Sequence, residues 1–448
     1  MSPTSISSLT GRLAEAVRRS HPSKIVMLGY LSYVFVGWIA LSLPISSGPG
    51  ISALDNLFTA TSAVSTTGLV TMNISDAYSL FGQIVILLLI QVGGIGYMTF
   101  GSYLLLSRAS EISVQRQAIS RTVFSLPESF RIDKFIRSVV AFTVIIETAG
   151  VLALYPIFDT AGVPTPLWSA VFHSVSAFCT AGFGLYPNSF MDFAGNFWLN
   201  LVIGTLSYCG AIGFIVFVDY WRKLRGKVAQ VTLTSRIIIW STLWLSLIGM
   251  ALIFFGEPAV RNLPVEDRLM AAGFQAMTAI TTVGFNTIDT GALCNASLLL
   301  VIMLMVIGAS PSGTGGGLKS TTFSALFGVM RSALRGEHVV TFWGKIIPFA
   351  RIWTAVAGMS FYVTALLTSC YLLELTEQTD FVSNVFEVAS ALGTVGLSTG
   401  ITSGLSSLGK LILVGAMFCG RLGPLTFGIA LFHRDEKEPK TSDSDLAV

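Results

Sequence analysis

Charge is scarce in this chain. Asp, Glu, Lys and Arg make up 11% of its 448 residues, against roughly 25% in an ordinary soluble domain. So little charge cannot clothe a soluble protein of this size, and a water-soluble enzyme or nucleic-acid binder is excluded first. No nucleic-acid partner is expected. Cysteine is also sparse. The five (Cys179, Cys209, Cys294, Cys370, Cys419) show no paired spacing, and four lie within or beside apolar runs. We read them as small apolar fillers, without a disulfide framework or a metal site. The four histidines (His21, His173, His338, His433) do not cluster. A membrane-embedded enzyme would need a nucleophile–base or metal constellation, and none is present.

What the chain has instead is apolar length. It is 52% hydrophobic. Long runs follow one another at 25–45, 80–106, 135–155, 197–218, 237–255, 298–307, 352–373 and 411–418. Several reach the ~20 residues that a membrane-spanning helix requires. The expected class is therefore an all-α polytopic membrane protein. The first run follows a polar, basic start (Arg12, Arg18, Arg19, Lys24) and is itself a full span, so no cleaved signal peptide is expected. Lys and Arg gather in 1–24, 108–137, 222–236, 331–351 and 434–440, which hold 22 of the 27. The positive-inside rule then puts both termini in the cytoplasm. The opposite side holds 11 of the 24 acidic residues, among them Asp55, Asp76, Glu257, Asp289 and Asp380, against only Arg261, Arg268 and Lys410. An acidic outer face concentrates cations, although acid-rich outer loops are equally ordinary.

One pattern occurs four times: LFTATSAVSTTGL (57–69), VFHSVSAFCTAGF (171–183), GFQAMTAITTVGF (273–285) and VFEVASALGTVGL (385–397). The four align without gaps on Gly68, Gly182, Gly284 and Gly396, with Phe ten residues before each Gly, Ser or Thr six before, Ala five before and Thr two before. Their spacings of 114, 102 and 112 residues divide the chain into like units. We place these units at 25–107, 135–221, 235–330 and 348–432, flanked by cytoplasmic segments 1–24 and 433–448. Each has an apolar run, a short acidic loop, the motif, a polar turn and a second apolar run.

The first ten residues of the motif suit a helix but cannot span. They predict a re-entrant helix ending in a Thr-x-Gly turn at membrane depth. Non-helical backbone there must be buried in protein or line a watery cavity, so four such turns are expected to converge on one axis. Glycine permits φ > 0 and lets neighbouring carbonyls point the same way. The resulting oxygen cage is the design of potassium filters, built from four TVGYG loops, and Thr282-Val283-Gly284-Phe285 departs from that signature by one aromatic. The negative C-terminal ends of the four short helices would favour a cation. The candidate filter is Thr66, Thr67, Gly68; Thr180, Ala181, Gly182; Thr282, Val283, Gly284; and Thr394, Val395, Gly396.

Over residues 25–432 this arrangement resembles the Trk/Ktr/HKT superfamily of cation transporters, and in length it is similar to the membrane subunits of bacterial Ktr potassium uptake systems. The resemblance implies eight transmembrane helices in four fused helix–pore loop–helix repeats, pseudo-fourfold about one pore. It implies potassium as substrate bound at the filter carbonyls, sodium as an activator, and no cofactor. A Ser at the first filter position accompanies sodium transport in the family, so Gly68 points to potassium; Thr67 and Ala181 depart from Val at the middle position. The resemblance also implies a homodimer, a cytoplasmic ring of nucleotide-binding regulatory subunits, and residence in a bacterial cytoplasmic membrane.

The second apolar run of the third unit is interrupted by VIGASPSGTGGGLKSTT (306–322), where Pro311 and five glycines cannot continue a helix. A kink or an inter-span loop is one reading. A phosphate-binding loop is not, because no buried strand precedes it. In the family this position holds a gating loop under the filter. The candidate gate is Gly308, Ser310, Ser312, Gly313, Thr314, Gly315, Gly316, Gly317 and Lys319, with Arg421 (matching a family Arg that contacts the loop) and Gln91 as polar partners. Arg421 snorkelling to the surface and Gln91 in an ordinary interhelical bond are the competing readings. Glu147 and Glu387 also fall deep, and Glu147 has no assigned role. An alternating-access symporter would carry inverted repeats and two broken helices; here the repeats run in one sense.

Overall fold

The computed structural model describes residues 22–96, 132–311 and 313–432. The expected cytoplasmic tail 433–448, most of the N-terminal segment, most of the basic stretch 108–137 and the gate candidate Ser312 lie outside these.

Each unit holds a long helix, a short buried helix and a second apolar helix, named below, after the expected plan, first span, pore helix and second span. The first spans are α1 (Pro22–Leu41), α4 (Ile132–Thr160), α8 (Leu233–Gly256) and α12 (Phe349–Thr376). The pore helices are α2 (Ala53–Val64), α5 (Pro166–Phe178), α9 (Val265–Thr281) and α13 (Phe381–Gly393). The second spans begin as α3 (Leu80–Ile95), α6 (Phe197–Ile212), α10 (Asn295–Val306) and α14 (Ser407–Leu422). Three of these start on a side-chain cap: Ser79 accepts from Gly82 N, Asn196 from Leu199 N and Ser406 from Gly409 N.

The burial pattern is that of a protein in lipid. The polar pore helices are enclosed, while the long spans turn Phe35, Ile145, Leu152, Trp244 and Leu367 outward. The four first spans are long and apolar enough to cross a membrane. Two second spans qualify as bent pairs: α6 turns through 90° at Gly213 into α7 (Phe214–Leu224), and α14 through 99° at Gly423 into α15 (Pro424–Phe432). The remaining two, α3 and α10, are shorter apolar helices.

Only the third unit was expected to have a broken second span. Among the described residues, the other three second helices also stop short. Gly96, Gly213 and Gly423 have φ of 86°, 85° and 82°, outside the reach of a helix, and α10 gives way to strand β1 (Ile307–Gly308). β1 pairs in parallel with β2 (Leu318–Lys319), after which α11 (Ser320–Leu334) resumes.

Packing closes the units into a ring. Each pore helix packs on both spans of its own unit, and each second span also packs on the next pore helix: α3 on α5, α6 on α9, α10 on α13, and α14 back on α2. At the closing seam Lys410 of α14 bonds Asp55 of α2 at 2.8 Å. Asp55 is therefore neutralised rather than free to contribute to an acidic outer field.

Candidate functional site

The four Thr-x-Gly turns repeat one backbone conformation. Thr66, Thr180, Thr282 and Thr394 sit at φ of 52°, 50°, 58° and 51°, and Gly68, Gly182, Gly284 and Gly396 at 91°, 66°, 84° and 93°. Side chains rarely adopt the left-handed region, so four threonines held there depend on what surrounds them. The cause is the pore helix end. The amides of Thr67, Ala181, Val283 and Val395 each donate back to the carbonyl five residues earlier, at 2.8, 2.8, 3.1 and 2.9 Å. In the first and fourth turns the glycine amide also bonds Ser62 Oγ or Ser390 Oγ, at 3.1 and 3.0 Å. With these amides turned toward the helix, the carbonyls of the turn face the other way.

The carbonyls meet in a ring. A Cβ placed on Gly68 would overlap the Ala181 oxygen; on Gly182, that of Val283; on Gly284, that of Val395; and on Gly396, that of Thr67. All four middle-position oxygens thus abut the glycine of the preceding turn, in chain order and without a gap. Glycine is required at each point by both φ and space. The C-terminal ends of four pore helices point at this ring, each carrying about half a negative charge.

On the side of the glycines lies a vestibule of about 500 Å³, bordered by Gly68, Gly182, Gly284 and Gly396. On the other side is a cavity of about 260 Å³, bordered by Gly315, Gly317, Lys319 and Arg421. Between them lies the 307–319 loop, which meets the threonines of all four turns. Thr314 Oγ1 bonds Thr180 Oγ1 at 3.0 Å, Thr66 Oγ1 donates to Thr314 O at 3.4 Å, and Gly316 N donates to Thr394 Oγ1 at 2.9 Å. Gly315 packs so tightly on Thr282 Oγ1 that a Cβ there would overlap it.

The helix breaks explain why the loop seats here. A helix terminus leaves carbonyls without intrahelical donors, and the loop supplies donors to α6. Ser310 N bonds Ala211 O (3.1 Å), Ser310 Oγ bonds Ile212 O (2.6 Å), and Thr314 N bonds Gly210 O (3.1 Å). Thr314 Oγ1 also reaches Phe178 O at the end of α5 (3.1 Å). Gly313 lies against Ala211 O with no room for a Cβ. Arg421 does the same for α3: its Nη2 donates to Gly93 O and Gly94 O, while Nη1 donates to Thr66 Oγ1 (2.9 Å) and to Thr314 O. One guanidinium therefore joins a Thr-x-Gly turn, the loop and a helix end.

Lys319 Nζ bonds Gly315 O at 2.8 Å, tying the loop to itself, and Gly308 pairs with Lys319 in the β1–β2 ladder. Gln91 is not a partner of the loop in these bonds. Its Nε2 donates to Glu147 Oε2 at 3.3 Å, joining α3 to α4. This accounts structurally for Glu147, whose carboxylate lies too far into the neighbouring unit for sequence reasoning to find. Three glycines three residues before the breaks were also overlooked: Gly93, Gly210 and Gly420 press on the pore-helix carbonyls of Val64, Phe178 and Leu392. Their signal was the repeated G-x-x-G at 93–96, 210–213 and 420–423.

A family model, TrkH, described as a cation transport protein, matches residues 24–438. The chain belongs to the TrkH family. Its relatives include the Ktr system potassium uptake protein B of Bacillus subtilis, 32% identical over 96% of this chain and 97% of that protein. The Ktr system potassium uptake protein B of Vibrio alginolyticus is 33% identical, covering 91% and 90%. The potassium/sodium uptake protein NtpJ of Enterococcus hirae is 32% identical, covering 92% and 93%. The crystal structure of the potassium transporter TrkH from Vibrio parahaemolyticus superposes with a TM-score of 0.70 at 20% identity, covering 91% of this chain and 84% of that one. The TrkH fold, and a multi-pass membrane protein, are thereby established for the chain.

Proposed function

We propose that this TrkH family protein takes up potassium across the cytoplasmic membrane of a bacterium, using the ring of four turns as its selectivity filter and the 307–319 loop as its gate. The observation that carries this reading is the closed ring in which the oxygens of Thr67, Ala181, Val283 and Val395 each abut a neighbouring filter glycine. Backbone oxygens around an axis replace the water shell of an ion. The relatives named as potassium uptake proteins supply the choice of ion. Sodium as an activator follows the resemblance and accords with the relative named for potassium/sodium uptake. Transport needs no cofactor and catalyses no covalent step.

In this reading the glycine-side vestibule faces outward and the Lys319–Arg421 cavity faces the cytoplasm, with both termini. The chain works as a homodimer with one pore per subunit, on a cytoplasmic ring of nucleotide-binding subunits; relatives named as components of a Ktr system support a separate partner. Four like-sensed units joined in cyclic order favour a fixed central pore over alternating access.

The test is rubidium and sodium flux in proteoliposomes, comparing the parent with Gly68→Ser. The φ of 91° and the contact with Ala181 O leave no place for a side chain. The variant should lose potassium preference. A folded variant with the parental potassium/sodium ratio refutes the filter assignment.

A further inference from the structure

Nine residues before each filter glycine the pore helices carry a polar side chain: Thr59, His173, Gln275 and Glu387. All four are fully buried. Fully burying such groups in a membrane protein is costly unless they are bonded, and on two of the four helices they are bonded to the same place. Glu387 Oε1 accepts from Thr399 N at 3.1 Å, and His173 Nε2 accepts from Leu185 N at 3.2 Å. Thr399 and Leu185 each lie three residues after their filter glycine. The described bonds include no counterpart from Thr59 to Thr71 or from Gln275 to Thr287.

Each brace is reinforced. Glu387 also accepts from Ser398 Oγ and, through Oε2, from Thr402 Oγ1 at 2.9 Å. Ser398 Oγ in turn holds Gly400 N at 2.8 Å. His173 Nδ1 faces Ser169 O at 2.7 Å. A carbonyl only accepts, so Nδ1 carries the proton and Nε2 is free to accept from Leu185. Tyr186 stacks on the imidazole at 4.8 Å, fixing its plane. The second and fourth units stand opposite each other in the ring, so the braces lie on one diagonal.

We infer that Glu387 and His173 are positioning residues for ion selection, which set the outer rim of the filter from behind on opposite sides of the pore. The inference rests on the filter reading above. Each clamps the segment leaving the filter to the pore helix entering it, and so fixes the span over which the glycine carbonyls can spread. Among the described bonds the first and third turns have no such clamp, and the third is held from the second unit, where Ser189 Oγ accepts from Asn286 N at 3.1 Å. A rim free to relax on all sides would adapt to the smaller sodium ion.

The experiment measures the rubidium/sodium flux ratio in proteoliposomes. Glu387→Ala and His173→Leu remove the acceptor and should each lower the ratio about tenfold, the equivalent of one strong hydrogen bond. Glu387→Gln and His173→Gln keep an acceptor oxygen and should stay within about twofold of the parent. Gln275→Leu, at the same position on an unbraced helix, should also keep the parental ratio. Gly68→Ser runs in parallel. If it shifts the ratio while Glu387→Ala and His173→Leu do not, the brace is wrong and the filter stands. If Gly68→Ser leaves the ratio unchanged as well, the filter reading itself fails. Should Glu387→Ala not fold, Ser398→Ala with Thr402→Val strips two of the donors that hold the Glu387 carboxylate, and must lower the ratio. Glu387→Gln falling as far as Glu387→Ala would also overturn the brace, because charge rather than an acceptor would then be responsible.

Discussion

If the 307–319 loop is the obstruction, removing it should open the pore. The parallel pairing of β1 and β2 dictates how to cut. Ile307 stands opposite Leu318 and Gly308 opposite Lys319, while Ser320 N bonds Ala309 O. Ala309 and Leu318 are thus offset by two residues across a ladder about 4.8 Å wide, a gap of about 8 Å. A single peptide link spans about 3.8 Å and would tear the ladder. Deleting residues 311–316 leaves Ser310 and Gly317 as a bridge of three links, which reaches about 10 Å. Ser310 remains to cap Ala211 O and Ile212 O, so the end of α6 stays satisfied.

The deletion removes the bonds from Thr314 N to Gly210 O, from Thr314 Oγ1 to Phe178 O, from Gly316 N to Thr394 Oγ1, and from Arg421 to Thr314 O. At about 1 kcal/mol for each neutral bond and about 2 kcal/mol for the guanidinium, the seated loop is favoured by about 5 kcal/mol. That is between three and four powers of ten in the seated-to-open ratio. Rubidium uptake into proteoliposomes should therefore rise about tenfold or more, limited by the filter rather than the gate. The potassium/sodium ratio should remain parental, because the Thr67, Ala181, Val283 and Val395 oxygens are untouched. A monodisperse deletion protein with parental or lower uptake refutes the gate.

Other outcomes follow from the same contacts. Arg421→Ala should raise uptake in the same direction but less, since one bond of about 2 kcal/mol shifts the ratio only about 30-fold; unchanged uptake in folded protein counts against the tether. Gly396→Ser, with φ at 93° and Thr67 O in the way, should reduce potassium preference as Gly68→Ser does, read as the same flux ratio. Glu257, in the loop after α8, accepts from Ala259 N and Cys294 N. Burial pushes its carboxyl up, but these bonds outweigh it and hold the group below the ordinary 4.5. Its contribution to stability is then complete above pH 4.5 and is lost as pH falls through the lowered value. Glu257→Gln should flatten that part of a melting-temperature profile, and an unchanged acid limb would show the carboxylate to be irrelevant. Gentle detergent extraction from the native membrane should co-purify a soluble nucleotide-binding protein, and recovering none refutes the partner.

The fourfold plan was legible because its chemistry is local. A Thr-x-Gly turn after a short Ala- and Ser-rich helix keeps its meaning wherever it recurs, and alignment on Gly68, Gly182, Gly284 and Gly396 needed no tertiary information. The breaks in α6 and α14 were harder, because apolar character runs on across Gly213 and Gly423 and hydropathy does not register a change of direction. Gly-Pro at 423–424 was the available signal. Pairings between distant units were not legible at all. Gln91 meets Glu147, and Asp55 meets Lys410 some 355 residues away, only because the ring closes. Before folding, every buried polar group has many possible partners.

On the proposed reading, the third unit is where a symmetric pore acquires its gate. Each second span ends where its last carbonyls are left over, three of them at Gly96, Gly213 and Gly423 and that of the third unit after Val306. Symmetric breaks alone would present several sets of unpaired carbonyls beneath the filter, which is an attractive surface for a cation. The third unit spends its break differently: its chain turns inward and offers Ser310 and Thr314 as donors to the carbonyls of α6. The fourth unit adds Arg421 at the position that Gly94 and Ala211 occupy after their own first glycine. Its guanidinium covers the carbonyls of α3 and stands beside Thr66. The same move that satisfies the helix ends thus replaces negative dipoles with a positive charge directly below the filter, so the closed state opposes a cation both by volume and by field. Opening must then do two things at once, withdrawing the loop and separating Arg421 from Thr314, which is why the deletion should exceed Arg421→Ala in flux while both leave selectivity alone.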